Sequence, residues 1–174
     1  AVNLVQSEQI ILLSGGPGSG KTSTILQMLL KALTKNPTLD IAMAAPTGKA
    51  AKKLKDTIQV GIEDFEDPIK DKLSKIPSKT LHKWLEAGPN GFRRNSKRLL
   101  KLDLIVIDEM SMVDLSTING LLDSLPKSCQ IILVGDPDQL LPIGSGGIWQ
   151  ILQDKETRTN FQSNSVKLTK SYRN

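Results

Sequence analysis

Cysteine is almost missing from this sequence: Cys129 stands alone among 174 residues, which excludes an internal disulfide. Aromatic residues make up only 3% of the chain, so it has few flat surfaces on which a base could stack. Long apolar runs are absent too. The longest, such as Ile10 to Leu13 and Ile131 to Val134, fall far short of the roughly 20 residues needed to cross a bilayer. The start, Ala1 to Gln9, has neither the basic flank nor the apolar stretch of a secretory signal, so a cytoplasmic compartment is expected. There is no internal repeat and no low-complexity tract, which excludes a solenoid and a disordered tail.

What remains is an ordinary globular composition, 39% hydrophobic and 24% charged, at the size of one domain, residues 1–174. The net charge of +5 is unevenly spread. Between Lys49 and Lys101 there are 14 Lys and Arg against 7 Asp and Glu, so this third carries +7 and the rest −2. A basic middle third is what a contact with a phosphate backbone would look like, and a solvated surface would look the same.

Short apolar runs recur at Ile10 to Leu13, Ile41 to Ala44, Leu104 to Ile107, Ile131 to Val134 and, more weakly, Val166 to Leu168. Several are continuously apolar and β-branched, the pattern of strands covered on both faces. The expected class is therefore α/β, with a mainly parallel central sheet and helices on both faces. Helices are predicted at Lys21 to Thr34, Lys49 to Ile58, Leu81 to Leu85, Leu115 to Leu125 and Ile148 to Gln153. Two segments, Val60 to Lys79 with its Pro68 and Pro77, and Gly88 to Lys101, read as surface excursions.

The string Ser14-Gly15-Gly16-Pro17-Gly18-Ser19-Gly20-Lys21-Thr22 lies between an apolar strand and a helix and satisfies the phosphate-loop pattern. Glycines let backbone N–H groups close around phosphates, and the following helix offers its positive end. The nucleotide-binding set is Gly15, Gly16, Pro17, Gly18, Ser19, Gly20, Lys21, Thr22 and Ser23. Lys21 would hold the β and γ phosphates of ATP, and the Thr22 hydroxyl would reach Mg²⁺. The strand Leu104 to Ile107 ends in Asp108 and Glu109, at the sheet end where ligands bind. Asp108 suits the Mg²⁺ shell, and Glu109 suits polarising the attacking water; a helix-capping acidic pair with Asp114 as companion is the alternative. Gln139, in Gly135-Asp136-Pro137-Asp138-Gln139, can contact a γ-phosphate or the hydrolytic water without titrating, unless the segment is simply a turn.

Six strings in order, GGPGSGKT, APTGKAA (Ala45 to Ala51), TLH (Thr80 to His82), VIDEMSMVD (Val106 to Asp114), GDPDQL (Gly135 to Leu140) and KSYRN (Lys170 to Asn174), resemble the RecD family of superfamily 1 DNA helicases. That resemblance covers nearly the whole chain and implies the first RecA-like, P-loop NTPase motor domain of such an enzyme. The exodeoxyribonuclease V alpha subunit, stand-alone helicases and conjugative-relaxase motors share these strings. It implies ATP and Mg²⁺ as cofactors, and catalytic roles for Lys21, Glu109, Gln139 and Arg173, the last reaching the γ-phosphate. It puts single-stranded DNA on Pro46, Thr47, Gly48, Lys49, Thr80 and His82. It further implies RecB- and RecC-type subunits as partners, recombination and double-strand-break repair as the setting, and a second RecA-like domain without which this one is nearly inactive. The alternatives are a nucleotide-dependent regulatory or assembly module and an RNA helicase. Trp84 and Trp149 are expected to be packed rather than stacked on bases.

Overall fold

The computed structural model of the chain describes residues 1–63, 65, 68–139, 148–154, 159, 161 and 163–169. Its strands are β1 (Ile10–Gly15), β2 (Ile41–Ala45), β3 (Ser78–Thr80), β4 (Ala87–Gly88), β5 (Gly91–Phe92), β6 (Leu104–Ile107), β7 (Gln130–Gly135) and β8 (Ser165–Leu168). Its α-helices are α1 (Lys21–Lys35), α2 (Gly48–Gly61), α3 (Ile69–Lys75), α4 (Leu81–Trp84), α5 (Leu115–Ser124) and α6 (Ile148–Gln153). Two 3-10 turns, Val2–Gln6 and Met110–Met112, complete the described elements. Six strands form one sheet in the order β3-β2-β6-β7-β1-β8. Every pairing in it is parallel. The expected α/β class holds.

Each central strand splits its side chains between two cores with a period of two, because successive Cβ atoms leave a strand on opposite faces. Ile11 and Leu13, Ile41 and Met43, Leu104 and Val106, and Ile132 and Val134 enter one core. There they meet α1 through Ile25 and Leu29, α2 through Leu54 and Ile58, and α3 through Leu73. Leu12, Ala42 and Ala44, Ile105 and Ile107, and Ile131 and Leu133 enter the other, against Leu81 of α4, Ile118 and Leu121 of α5 and Trp149 of α6. Continuous apolar runs were therefore the right signature of a sheet buried on both sides.

One expectation needs correction. The segment Val60 to Lys79 is not a surface excursion: α2 runs on to Gly61, α3 occupies Ile69–Lys75, and Ile62, Leu73 and Ile76 are buried in the first core. Cutting Leu73 to Ala would cost about 2–5 kcal/mol at such a site. The segment then enters the sheet as β3, in register with β2 from Met43↔Ser78 to Ala45↔Thr80. The Ser78 hydroxyl donates to the Ala51 carbonyl at 2.7 Å, tying this strand to α2 as well. Gly88 to Lys101 is an excursion in large part, carrying the end of the small β4–β5 hairpin. It returns to the core at Leu100, whose amide donates to the Ser124 carbonyl at 2.8 Å.

At the other side of the sheet, β8 flanks β1 in register from Leu12↔Ser165 to Gly15↔Leu168. The Ser14 hydroxyl donates to the Val166 carbonyl. A Cβ on Gly15 would stand 2.5 Å from Ser19 Oγ and 3.1 Å from Leu168 Cβ, so glycine there is a matter of space.

Candidate nucleotide cleft and basic groove

The carboxyl ends of β1, β6 and β7 open onto one cleft of about 410 Å³. From β1 and α1 come Pro17, Gly18, Ser19, Gly20, Lys21, Thr22 and Ser23; from β6, Asp108 and Glu109; from β7, Gly135, Asp136 and Gln139. Three sequence motifs far apart in the chain are thus brought together as the parallel topology requires. Gly15 and Gly16 lie behind the wall and act through their carbonyls, which accept from Lys21 Nζ, at 2.9 Å for Gly16. These bonds hold the ammonium within the curve of its own loop. Gly20, the residue before α1, has φ 85°, a left-handed turn that glycine adopts without strain. Ser19 Oγ is buried without a hydrogen-bond partner, although it belongs to a lining residue.

The acid pair is built asymmetrically. Asp108 Oδ1 accepts the Glu109 amide at 2.8 Å, and the Asp108 amide donates to the Ala44 carbonyl at 2.9 Å, fixing the first carboxylate to the sheet. Burial pushes the Asp108 carboxyl above the ordinary aspartate range, against the pull of the Glu109 amide and the Lys21 and Lys53 ammonium groups. Glu109 has φ 54° and ψ 42°, a left-handed backbone costing a non-glycine residue about 1–3 kcal/mol. Neither residue caps a helix through its side chain. Asp114 does: its Oδ1 accepts the Thr117 amide at 2.7 Å and its Oδ2 the Thr117 hydroxyl at 2.9 Å, opening α5. The capping alternative therefore applies to Asp114 and not to the pair.

Asp136 is 3% exposed, and its Oδ1 accepts the Asp138 amide at 3.0 Å. The turn read from Asp-Pro-Asp is real, and it delivers Gln139 to the cleft. Arg173 lies outside the described residues. Sequence reasoning missed four residues of this region. Lys53 and Thr57 line the cleft on the α2 face they share with Ala50 and Leu54, at the three- and four-residue spacing of one helix side. Asp136 was passed over as turn chemistry, and Ser111, which binds Gln139, as part of a motif string.

A second, basic groove of about 240 Å³ is walled by Gly48, Ala51, Lys52, Lys55, Ser78, Lys79, Thr80 and Lys83, with no carboxylate among them. Of the residues expected to meet a strand, Gly48 and Thr80 stand in its walls; Pro46, Thr47, Lys49 and His82 do not. Thr47 and Thr80 are helix caps: their hydroxyl oxygens accept the Ala50 and Lys83 amides, each at 3.2 Å. A hydroxyl that accepts in this way still has its proton to donate. Lys55 Nζ donates to the Ser74 and Ile76 carbonyls, and its burial pulls its pKa below the ordinary lysine value. Lys79 Nζ sits 4.7 Å above the Trp84 ring, whose Nε1 donates to the Met43 carbonyl at 2.9 Å. His82 is exposed and meets the Phe92 ring edge-on at 6.1 Å. Trp149 is fully buried and Trp84 packs on the second core, so both tryptophans are packing residues as expected.

A parallel sheet with a glycine loop after its first strand and an acid pair after another defines a phosphate-loop nucleotide-binding domain. The chain belongs to the AAA domain family, whose model matches residues 1–145. It is 36% identical to the RecBCD enzyme subunit RecD of Mycolicibacterium smegmatis over 85% of this chain and 28% of that protein. It is 33% identical to the ATP-dependent RecD2 DNA helicase of Deinococcus radiodurans over 79% of this chain and 17% of that protein. These relatives bear out the RecD-type resemblance, and the chain spans well under a third of their length. Among solved structures, it matches one of two coordinating Pif1 helicases at forked double-stranded DNA with TM-score 0.54 and 26% identity, over 98% of this chain and 42% of that one. Bacteroides Pif1 bound to single-stranded DNA has the same fold: TM-score 0.54 and 24% identity over 98% of this chain and 40% of that one. No described helix is long and apolar enough to cross a membrane.

Proposed function

We propose that this chain is the ATP-binding and ATP-hydrolysing motor half of a RecD-type DNA helicase that moves along single-stranded DNA in recombination and double-strand-break repair. The observation that carries the reading is the convergence of Lys21, Thr22, Asp108, Glu109 and Gln139 on one cleft. The loop amides and the α1 N-terminus cradle the phosphates, and Lys21 turns from its own carbonyls to the β and γ oxygens. Ser19 Oγ, buried and unpartnered, fits a ligand that brings its own polar atoms. Thr22 and Asp108 supply two hard oxygen donors. A hydroxyl and a single carboxylate lining one cleft fit Mg²⁺, a hard cation that would take its other ligands from phosphate and water. When bound, Mg²⁺ would neutralise charge on the phosphates. Glu109 polarises the attacking water, and Gln139 donates to the γ-phosphate or that water.

The lysine-walled groove beside α2 supports a path for a phosphate backbone, with affinity carried by charge rather than by base stacking. Thr47 and Thr80 cap their helices and can still donate their hydroxyl protons to a phosphate, with Pro46, Gly48, Lys49 and His82 around them. The name of the mycobacterial relative supports assembly with RecB- and RecC-type subunits; the cytoplasm is the setting that goes with this reading. A second RecA-like domain closes the cleft, with Arg173 reaching the γ-phosphate. The test is the ATPase rate of the full-length protein alone, with single-stranded DNA and with single-stranded RNA. Stimulation by DNA well above RNA is expected; a rate indifferent to both would overturn the strand reading, and no hydrolysis at all would overturn the motor.

A further inference from the structure

Two cations stand in the walls of the nucleotide cleft, Lys21 and Lys53, and only Lys21 has a part in the mechanism above. Lys53 lies on α2 and lines the cleft together with Ala50, Leu54 and Thr57. Its side chain is exposed, and it forms no salt bridge among the described residues. The carboxylate it acts on electrostatically is Asp108, across the cleft.

That attraction, which involves no direct ion pair, would not hold Lys53 toward Asp108 in a loaded site. A dication on Asp108 would take up the charge that attracts Lys53 and would itself repel the ammonium. The anion then available in the same cleft is the phosphate chain. Lys21 and the loop amides approach that chain from α1 and the loop before it, whereas Lys53 approaches it from α2. The opposite side of α2 supplies Gly48, Ala51, Lys52 and Lys55 to the basic groove, so a residue of this helix that gripped a phosphate would join the two clefts through one rigid element.

We propose that Lys53 is a phosphate-binding residue of the nucleotide cleft, contacting the terminal phosphate of a Mg²⁺-bound nucleoside triphosphate from the α2 side. The proposal rests on the reading of the cleft as an ATP site. It distinguishes triphosphate from diphosphate, because the contact is to the phosphate that hydrolysis removes. It also makes α2 a reporter of nucleotide state to the groove it helps to wall.

The experiment titrates full-length protein with Mg²⁺ and either ADP or a non-hydrolysable ATP analogue, comparing the natural protein with Lys53→Ala, Lys53→Arg and Lys21→Ala. Lys53→Ala should weaken the triphosphate analogue about tenfold, as for one lost charge-assisted bond, and ADP less than about twofold. Lys53→Arg should restore most of the difference. If Lys53→Ala leaves the analogue's affinity unchanged while Lys21→Ala weakens it, Lys53 has no such role and the ATP site stands. An equal loss for analogue and ADP would overturn the terminal-phosphate contact. If the natural protein binds neither nucleotide, the ATP reading fails, and this proposal with it.

Discussion

The Ser111 hydroxyl donates to Oε1 of Gln139 at 2.9 Å, across 28 residues of chain. Ser111 is 1% exposed, while Gln139 is exposed at the cleft. With its oxygen engaged, the Gln139 amide presents its nitrogen, the donating end, to whatever enters. Ser111 is therefore a positioning residue for the proposed sensor. Ser111→Ala in the full-length protein should leave nucleotide affinity nearly unchanged and slow single-turnover hydrolysis roughly fivefold, the equivalent of about 1 kcal/mol for one hydrogen bond. Hydrolysis at the natural rate would remove Ser111 from the mechanism.

The two charged groups at the centre of the cleft should separate binding from chemistry. Lys21→Ala should abolish measurable ATP turnover and weaken binding, because the phosphate chain loses the cation its loop is shaped around. Glu109→Gln keeps the shape and loses the base, so binding should survive and hydrolysis should fall by about 10² to 10⁴. Normal hydrolysis by the Glu109 variant would show that another group polarises the water.

Asp114 links the acid-pair segment to the start of α5, and its titration carries a sign. Burial pushes its carboxyl up, but the Thr117 amide and hydroxyl and the charge of His82 bring it below the ordinary aspartate range. A lowered folded-state pKa adds stability above the unfolded value, near about 3.9, and that stability is lost as pH falls through the folded value. Asp114→Ala should cost about 1 kcal/mol near neutral pH. Hydrogen exchange at Thr117 and Ile118 measures it locally: protection should fall in the variant near neutral pH, and the gap should narrow as pH falls below the unfolded aspartate value of about 3.9. A gap that persists in acid would mean that the charge of Asp114 contributes nothing.

Cys129 is 1% exposed, and burial followed by the nearby charge of Asp103 pushes its thiol up to about 12. A thiol so placed is protonated at neutral pH and sheltered from reagent. In the full-length protein a disulfide reagent should modify Cys129 only after denaturant is added, with site occupancy read by peptide mass spectrometry. Rapid modification of the folded protein would contradict the packing of β7 on the second core.

A Cβ at Gly135 would stand 2.6 Å from Cε2 of the fully buried Trp149, so this glycine, one residue before Asp136, is fixed by the indole behind it. Gly135→Ala should destabilise by about 1–3 kcal/mol, whereas Gly88→Ala, with nothing within 4 Å, should lie within about 0.5 kcal/mol of the natural protein. Equal melting of the two variants would contradict this contact.

The sequence made β6 legible because Leu104 to Ile107 are four buried apolar residues in a row, a pattern with few competing readings. β3 was invisible for the opposite reason. Ser78–Thr80 is short and polar, none of it is buried, and its place is set by pairing with β2 rather than by its own pattern. In α3 the spacing of Ile69, Leu73 and Ile76 was present, but flanking Pro68 and Pro77 and the surrounding charges read as a loop; the prolines bracket the helix instead of breaking it. In the site, Lys21 and Asp108 could be read from local strings. Lys53 and Ser111 could not, because what they face depends on the phase of α2 against α1 and on where the turn after β7 delivers Gln139.

The seating of the phosphate loop against β8 bears on how the protein is made. Ser14 and Val166, hydrogen-bonded to each other, are 152 positions apart, and Gly15 is in register with Leu168. A ribosome releases the loop early and the strand that flanks it late. Throughout that interval the nascent chain carries the glycines and the lysine of the site without the wall they rest on, and contacts of such long range are the slow ones in folding. The support that β8 gives the loop is therefore among the later contacts to form, made after the glycines and the lysine have already left the ribosome.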